Sequence, residues 1–311
     1  MIDLQGLTVG YANDPVLKGL TLRADSHAIG LLGPNGAGKS TLIKALLGHL
    51  PLRSGSGTVL GLDVRRDFLD IRQRVGYMPE RDCLFPGMNG VGSTTFAGEL
   101  VGMHHGDAKQ RAHEVLDYVG LAEERYRPVE SYSAGMLQRV KLAQALVHDP
   151  KLVFLDEPTN GMDPKGRIEM LELVGDIARD KGIHVLVSSH LLPDVEAVCT
   201  DVIVLAGGEV LAQGNIEEMR EGTGSGYVVR VKGDRDAFRE ALDKAGCPVD
   251  DGPRETLRVT IDDGGDIRTV WEVARATNVQ IRHLEPARRS LEDVFMDAIE
   301  HGGEPTAAGV S

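Results

Sequence analysis

No run in this 311-residue chain approaches the eighteen or so apolar residues that a membrane-crossing helix needs. The longest apolar stretches, such as Leu152–Leu155 and Val202–Ala206, have the length of strands. The opening Met1-Ile2-Asp3-Leu4-Gln5 lacks the basic and apolar regions of a secretory leader, so membrane work would need a second protein as anchor. Positive charge is scarce as well: 34 Lys and Arg face 47 Asp and Glu, for a formal net charge of −13. A nucleic-acid binder ordinarily carries a basic face, so this balance argues against nucleic acid as a partner. Cysteine is nearly absent. Cys83, Cys199 and Cys247 have no metal-ligand spacing and cannot all pair, which fits a reduced, cytosolic compartment.

What is present is a globular composition, 41% hydrophobic and 26% charged, long enough for one large domain and a smaller one. Ala28–Leu32, Leu152–Leu155 and Val185–Ser188 read as buried strands of a mostly parallel sheet. Lys165–Lys181 reads as a helix with Ile168, Leu171, Val174 and Ala178 on one face. This alternation predicts an α/β core over residues 1–221, with a helical insert over about 83–146. Gly222-Thr223-Gly224-Ser225-Gly226 has the composition of a flexible linker. Beyond it, Tyr227, Val229 and Val231 alternate, Phe238 and Leu242 pair across a helix turn, and Leu257, Val259 and Ile261 alternate again. Ile267, Val270, Trp271 and Ala274 return to helical spacing, and Val279 and Ile281 suggest a last strand. Ser290 and Asp293 form a capping box ahead of Leu291, Val294, Phe295 and Ala298. Residues 227–300 thus read as a small α+β accessory domain of ferredoxin-like type, and 301–311 as a polar tail.

The chemistry begins at Gly33-Pro34-Asn35-Gly36-Ala37-Gly38-Lys39-Ser40, a complete P-loop pattern between a strand and a helix over Ser40–Leu47 that includes Thr41. Its glycines let backbone N–H groups curl around phosphate oxygens, and the helix N-terminus adds its positive dipole end. Lys39 is expected to reach the β- and γ-phosphates of ATP, and the Ser40 hydroxyl to ligate Mg²⁺. The apolar strand Lys151–Leu155 ends in Asp156 and Glu157. In P-loop enzymes the first such carboxylate holds the Mg²⁺ shell, and Glu157 follows where a water could be polarised.

A third segment, Ser133-Ala134-Gly135-Met136-Leu137-Gln138-Arg139-Val140, resembles the signature motif of ATP-binding-cassette (ABC) ATPases. The resemblance covers roughly Met1 to Arg220. It implies that Tyr11 stacks on adenine, though Tyr11 alone is equally a strand-end aromatic. It places Glu80, within Gly76-Tyr77-Met78-Pro79-Glu80, at the Q-loop position with a catalytic and metal-binding role. Asp163, in Asn160-Gly161-Met162-Asp163, matches the D-loop, and His190 matches the switch histidine. The family's mechanism implies two cassettes sandwiching two ATP molecules, with Ser133, Ala134, Gly135 and Met136 of each facing the P-loop of the other. It also implies a separate transmembrane permease on whose cytoplasmic face the homodimer rests.

Two departures from the family pattern narrow the resemblance. The signature reads Tyr132-Ser133-Ala134-Gly135-Met136 instead of Leu-Ser-Gly-Gly-Gln, and Glu80 replaces glutamine. Both variants, with the Ser290–Phe295 stretch near the end, resemble a drug and multidrug exporter branch. The catalytic set is complete, so an active ATPase is expected rather than a degenerate ATP-sensing adaptor. A soluble ABC protein acting on DNA or ribosomes is the alternative, but neither a coiled-coil insertion nor a second P-loop is present. An importer ATPase is disfavoured by the Ser290–Phe295 ending. His104, His105 and His113 complete no metal set and read as solvated, since adjacent helix positions diverge. The Gly-rich run Gly87–Gly102 reads either as a loose helix or as a groove for the permease.

Overall fold

Three strands whose polar residues stand only at their ends are buried almost throughout on both faces, the condition for parallel strands covered by helices on each side. The computed structural model describes residues 1–11, 14–81, 83–221, 225–252, 256–261, 267–286 and 290–300. These residues form two compact units, one from Met1–Ile216 joined by the chain from Phe295, the other from Glu217–Val294.

The first unit opens with β1 (Ile2–Tyr11) and β2 (Asp14–Ala24), then β3 (Ala28–Leu32), α1 (Lys39–Leu46), β4 (Leu52–Val59), β5 (Leu62–Asp63), α2 (Phe68–Arg74) and β6 (Val75–Met78). Helices α3 (Gly90–Leu100), α4 (His105–Tyr118) and α5 (Ala134–Leu146) follow, then β7 (Leu152–Asp156), α6 (Pro164–Arg179), β8 (His184–Ser189), α7 (Leu192–Val198), β9 (Asp201–Ala206) and β10 (Glu209–Asn215). The main sheet has the order β10-β9-β3-β8-β7-β6, parallel except for β10. A second, antiparallel sheet, β2-β1-β4-β5, was not legible as such. One core joins them: Leu4, Leu7 and Leu22 of the antiparallel sheet, Leu42 and Ile43 of α1, and Phe154 of β7 are all buried. Each such side chain contributes about 1.5–3 kcal/mol when fully buried.

One expectation changes here, and one of two readings of the Gly-rich run is met. On α6 the buried stripe is Met170, Val174, Ile177 and Ala178, while Ile168 is 59% exposed. The helix begins at its Asp163 cap, and the spacing i, i+4, i+7, i+8 turns Ile168 outward. The Gly-rich run forms α3, capped by Asn89, and its small residues face inward: Gly90, Ser93, Thr94 and Gly98 are buried. A Cβ on Gly98 would lie 3.0 Å from that of Ala108, so the missing side chain admits α4 at close range.

The second unit contains most of α8 (Ile216–Glu221), then β11 (Ser225–Lys232), α9 (Arg235–Lys244), β12 (Val249–Asp251), β13 (Leu257–Ile261), α10 (Arg268–Ala276) and β14 (Gln280–Pro286), and the start of α11 (Leu291–Glu300). The sheet order β12-β13-β11-β14, antiparallel throughout, is that of the βαββαβ ferredoxin-like arrangement. Val229, Phe238, Leu242, Leu257, Val259 and Val270 form its core. Trp271, on the turn beside Val270, is instead 51% exposed. Ser225 and Gly226, expected in a linker, pair with Ile261 and Thr260 as the first residues of β11. Residues 222–224 of that linker and the tail 301–311 lie outside the described residues. The capping box forms in both directions: Asp293 N–H donates to Ser290 Oγ at 3.0 Å, and Ser290 N–H to Asp293 Oδ2 at 2.8 Å.

Candidate functional site

The P-loop turn leaves the C-terminal end of β3 and enters α1. Gly38, the N-cap of α1, sits at φ 105°, a region that L side chains rarely adopt. A Cβ on Gly33 would collide with the carbonyl oxygen of Leu205 on β9. No side chain caps α1 and no acid lies in its first turn, so its N-terminal amides and dipole face outward uncompensated. Pro34, Asn35 and Gly36 are exposed, whereas Ala37, Gly38 and Thr41 are buried and Ser40 is half-buried. Lys39, only 7% exposed, folds back so that Nζ donates to the Gly33 carbonyl at 2.7 Å and the Pro34 carbonyl at 3.4 Å. The result is a lined anion cradle with a buried cation, which fits the phosphates of ATP.

The parallel register of β3 with β8, and of β8 with β7, carries the acidic strand end to this loop. Asp156 is 2% exposed and accepts a hydrogen bond from Ser188 Oγ at 2.9 Å. Its second oxygen and the Ser40 hydroxyl at the start of α1 are hard oxygen donors of the kind that would suit Mg²⁺. Glu157, 7% exposed, adopts φ 53°, a strained conformation for a non-glycine residue, and its N–H donates to the Ser188 carbonyl at 2.9 Å. Its Oε2 lies 2.9 Å from His190 Nδ1, and its Oε1 lies 3.8 Å from Lys39 Nζ. Burial pushes the Glu157 carboxyl up from its ordinary value, against the opposing pull of His190 and Lys39. Burial likewise pulls the Lys39 ammonium down, opposed by Glu157, Asp156 and Glu80. A bound anion would offset the lysine's shift by supplying negative charge, and would push the Glu157 carboxyl further up.

The remaining sequence-derived residues lie on other elements of the same unit. Glu80 follows β6 as Glu157 follows β7, because Met78 pairs with Leu155. Its side chain is exposed, and its backbone carbonyl accepts from Lys141 Nζ at 2.9 Å. Tyr11 is half exposed at the end of β1. Ser133 caps α5, accepting from Met136 N–H at 3.3 Å, and Ser133 and Ala134 are exposed while Gly135 and Met136 are half-buried. The signature lies against the D-loop of its own chain: Gln138 Nε2 donates to the Asn160 carbonyl at 2.8 Å, and Met162 borders Gly135. Asp163 caps α6, accepting from Gly166 N–H. His105 pairs with Glu99 and His104 caps α4.

Sequence reading passed over Lys141, Thr159, Arg167 and Asp194 and gave Gln138 and Ser188 no role of their own, yet hydrogen bonds from these side chains tie the site's segments together. A buried lysine on a helix followed by an apolar run was the one available signal, and it is weak. A cavity of about 670 Å³, lined by Tyr118, Lys151, Lys181 and His184 among others, includes none of these groups in its lining. The phosphate cradle is open rather than enclosed.

Two family models match successive parts of the chain: the ABC transporter family over residues 18–160, and "ATP-binding protein DrrA1-3-like, C-terminal domain" over residues 214–299. The linearmycin resistance ATP-binding protein LnrL of Bacillus subtilis (strain 168) is 31% identical over 305 residues, 96% of this chain and 97% of LnrL. The daunorubicin/doxorubicin resistance ATP-binding protein DrrA of Streptomyces peucetius is 31% identical over 308 residues, 96% of this chain and 92% of DrrA. Among solved structures, an ATP-binding subunit of an ABC transporter superposes with a TM-score of 0.63 at 28% identity, covering 71% of this chain and 92% of that one. With the motifs in order, the P-loop geometry and relatives matched from end to end, the chain belongs to the family of ABC transporter ATP-binding proteins.

Proposed function

We propose that this ATPase is the motor of a drug-type exporter, working as a homodimer on the cytoplasmic face of a separate transmembrane permease. The hydrolytic part of this reading is carried by the contact between Glu157 and His190 at the lip of a phosphate cradle whose lysine also reaches Glu157. Lys39 and the amides of residues 33–40 bind and orient the β- and γ-phosphates, with Tyr11 against the adenine. Mg²⁺, held by Ser40 and Asp156 with Glu80 beside them, neutralises phosphate charge when bound. Glu157 accepts the proton of a water aimed at the γ-phosphorus as the bond to the β–γ bridging oxygen breaks. His190 donates from Nδ1 to Glu157 and keeps that carboxylate turned toward the water. Ser133 through Met136, exposed at a helix N-terminus, face the γ-phosphate of the partner copy, and Asp163 lines the same junction.

The domain reading is part of the proposal: residues 1–221 hold and hydrolyse ATP, about 83–146 face the permease, and the unit after residue 226 adjusts dimer stability. Export of a drug is supported by the drug-resistance names of the LnrL and DrrA relatives and by a C-terminal unit of the DrrA type. The test is efflux. Cells expressing the chain with the membrane protein encoded beside it should retain less of an amphipathic fluorescent drug, and Glu157→Gln should abolish that difference. Equal retention in both strains for drugs of this class would refute the export reading while leaving the ATPase intact.

A further inference from the structure

Asp194, the third residue of α7, is 1% exposed, and both its oxygens are engaged. Thr159 Oγ1 donates to Oδ2 at 2.5 Å, and Arg167 of α6 donates to Oδ1 at 2.5 Å. Thr159 is itself 5% exposed. Thr159 lies two residues past Glu157, Asp194 four past His190, and Arg167 four past Asp163. The carboxylate therefore joins the three chain segments that leave the site.

Nothing in the chemistry of hydrolysis uses these three groups. Burying a charge adds little net stability, because desolvation offsets most of the attraction gained. What short charge-assisted bonds supply is direction. Direction is what Glu157 needs: its φ of 53° persists only if the surroundings over-determine it. On one side its N–H is fixed to the Ser188 carbonyl at 2.9 Å. On the other side the chain reverses at once, and Thr159 is the next side chain tied down. Asn160 beyond it is held through its carbonyl by Gln138 of the signature helix.

We infer that Asp194 is a positioning residue, which clamps the turn bearing Glu157 to the segment bearing His190 and so maintains their 2.9 Å contact. The inference rests on the assignment of Glu157 and His190 to hydrolysis. A misplacement of about 1 Å costs as much as ~10²-fold in rate without touching ground-state binding.

The experiment uses the full chain and four variants: Thr159→Val, Thr159→Ser, Asp194→Asn and Glu157→Gln. Steady-state kcat and KM for Mg-ATP are measured with the melting curve of each. Thr159→Val removes one hydroxyl at constant shape and should lower kcat about ten- to a hundredfold with KM unchanged. Thr159→Ser restores the donor and should keep most of the wild-type kcat, and Asp194→Asn should behave like Thr159→Val. Full activity of Thr159→Val beside an inactive Glu157→Gln overturns the inference alone. So does a kcat loss that merely follows the folded fraction, or one that Ser fails to rescue. Wild-type turnover by Glu157→Gln would overturn the hydrolytic assignment and this inference with it.

Discussion

His190 and Glu157, 33 residues apart, meet at 2.9 Å, and the far oxygen of the same carboxylate stands 3.8 Å from Lys39. A buried carboxylate is thus shared between a histidine that orients it and the lysine of the phosphate cradle. In the proposed mechanism, nucleotide phosphates would compete for that lysine and release Glu157 to face water.

Glu157→Gln keeps the shape and removes the base. Turnover should fall about 10²–10⁴-fold, the usual cost of a general base, while ATP affinity persists. Phosphate release and sedimentation with Mg-ATP check this, the second by showing an ATP-dependent dimer that no longer dissociates. Near-normal turnover would remove Glu157 from the mechanism.

The same substitution carries a stability signature. Burial raises the folded-state pKa of Glu157 above its unfolded value. Folding therefore favours the protonated acid, and its contribution is lost as pH rises from the unfolded toward the folded pKa. Above that window the ionised wild type bears the desolvation cost, and a neutral Gln does not. Without nucleotide, Glu157→Gln should melt higher than wild type at pH 8, and the gap should close near pH 4. A gap that widens in acid would contradict the electrostatic account.

Composite sites can be tested by mixing. A Lys39→Ala subunit and a Ser133→Arg subunit should each hydrolyse ATP poorly alone. Together they form one dimer site with an intact lysine and an intact facing serine. A mixture no faster than its parts would argue against Ser133 acting across the interface.

Glu80 stands where the family carries glutamine. An ionised glutamate only accepts hydrogen bonds, and it places negative charge beside an already acidic strand end. ATP affinity should depend more steeply on Mg²⁺ in the wild type than in Glu80→Gln. Glu80→Ala should impair permease-coupled turnover more than affinity. Superimposable Mg²⁺ titrations would show that Glu80 stays clear of the metal.

Gly33→Ala would drive a methyl into the Leu205 carbonyl. Overpacking of this kind costs about 1–3 kcal/mol, and each ~1 kcal/mol moves the melting midpoint by about 2–4 °C in a domain of roughly 150–250 residues. A drop of several degrees with weakened ATP binding is expected by thermal melting and nucleotide titration.

Local chemistry was legible wherever a residue's role depends on its neighbours in sequence. The loop Gly33–Ser40, the acids closing β7 and the Ser290–Asp293 box all lie within a few residues, and covalent spacing imposes their geometry. The buried strands were legible because a run without polar residues has no exposed face to spare. The βαββαβ unit could be followed from its periodicity except at β12, whose three residues are too few to show an alternation. Only the fold decided the rest. It set a second antiparallel sheet against α1, turned Ile168 out of the α6 stripe, and drew Ser225 and Gly226 into β11. It also brought Lys141 to the Glu80 carbonyl and Asp194 to Thr159 and Arg167. A lysine or an aspartate in a helix is ordinarily a solvated residue, and nothing in one dimension distinguishes it from a buried one. The difference arises when packing removes water and leaves a single set of partners within reach, which is a property of the assembled layers rather than of any one segment.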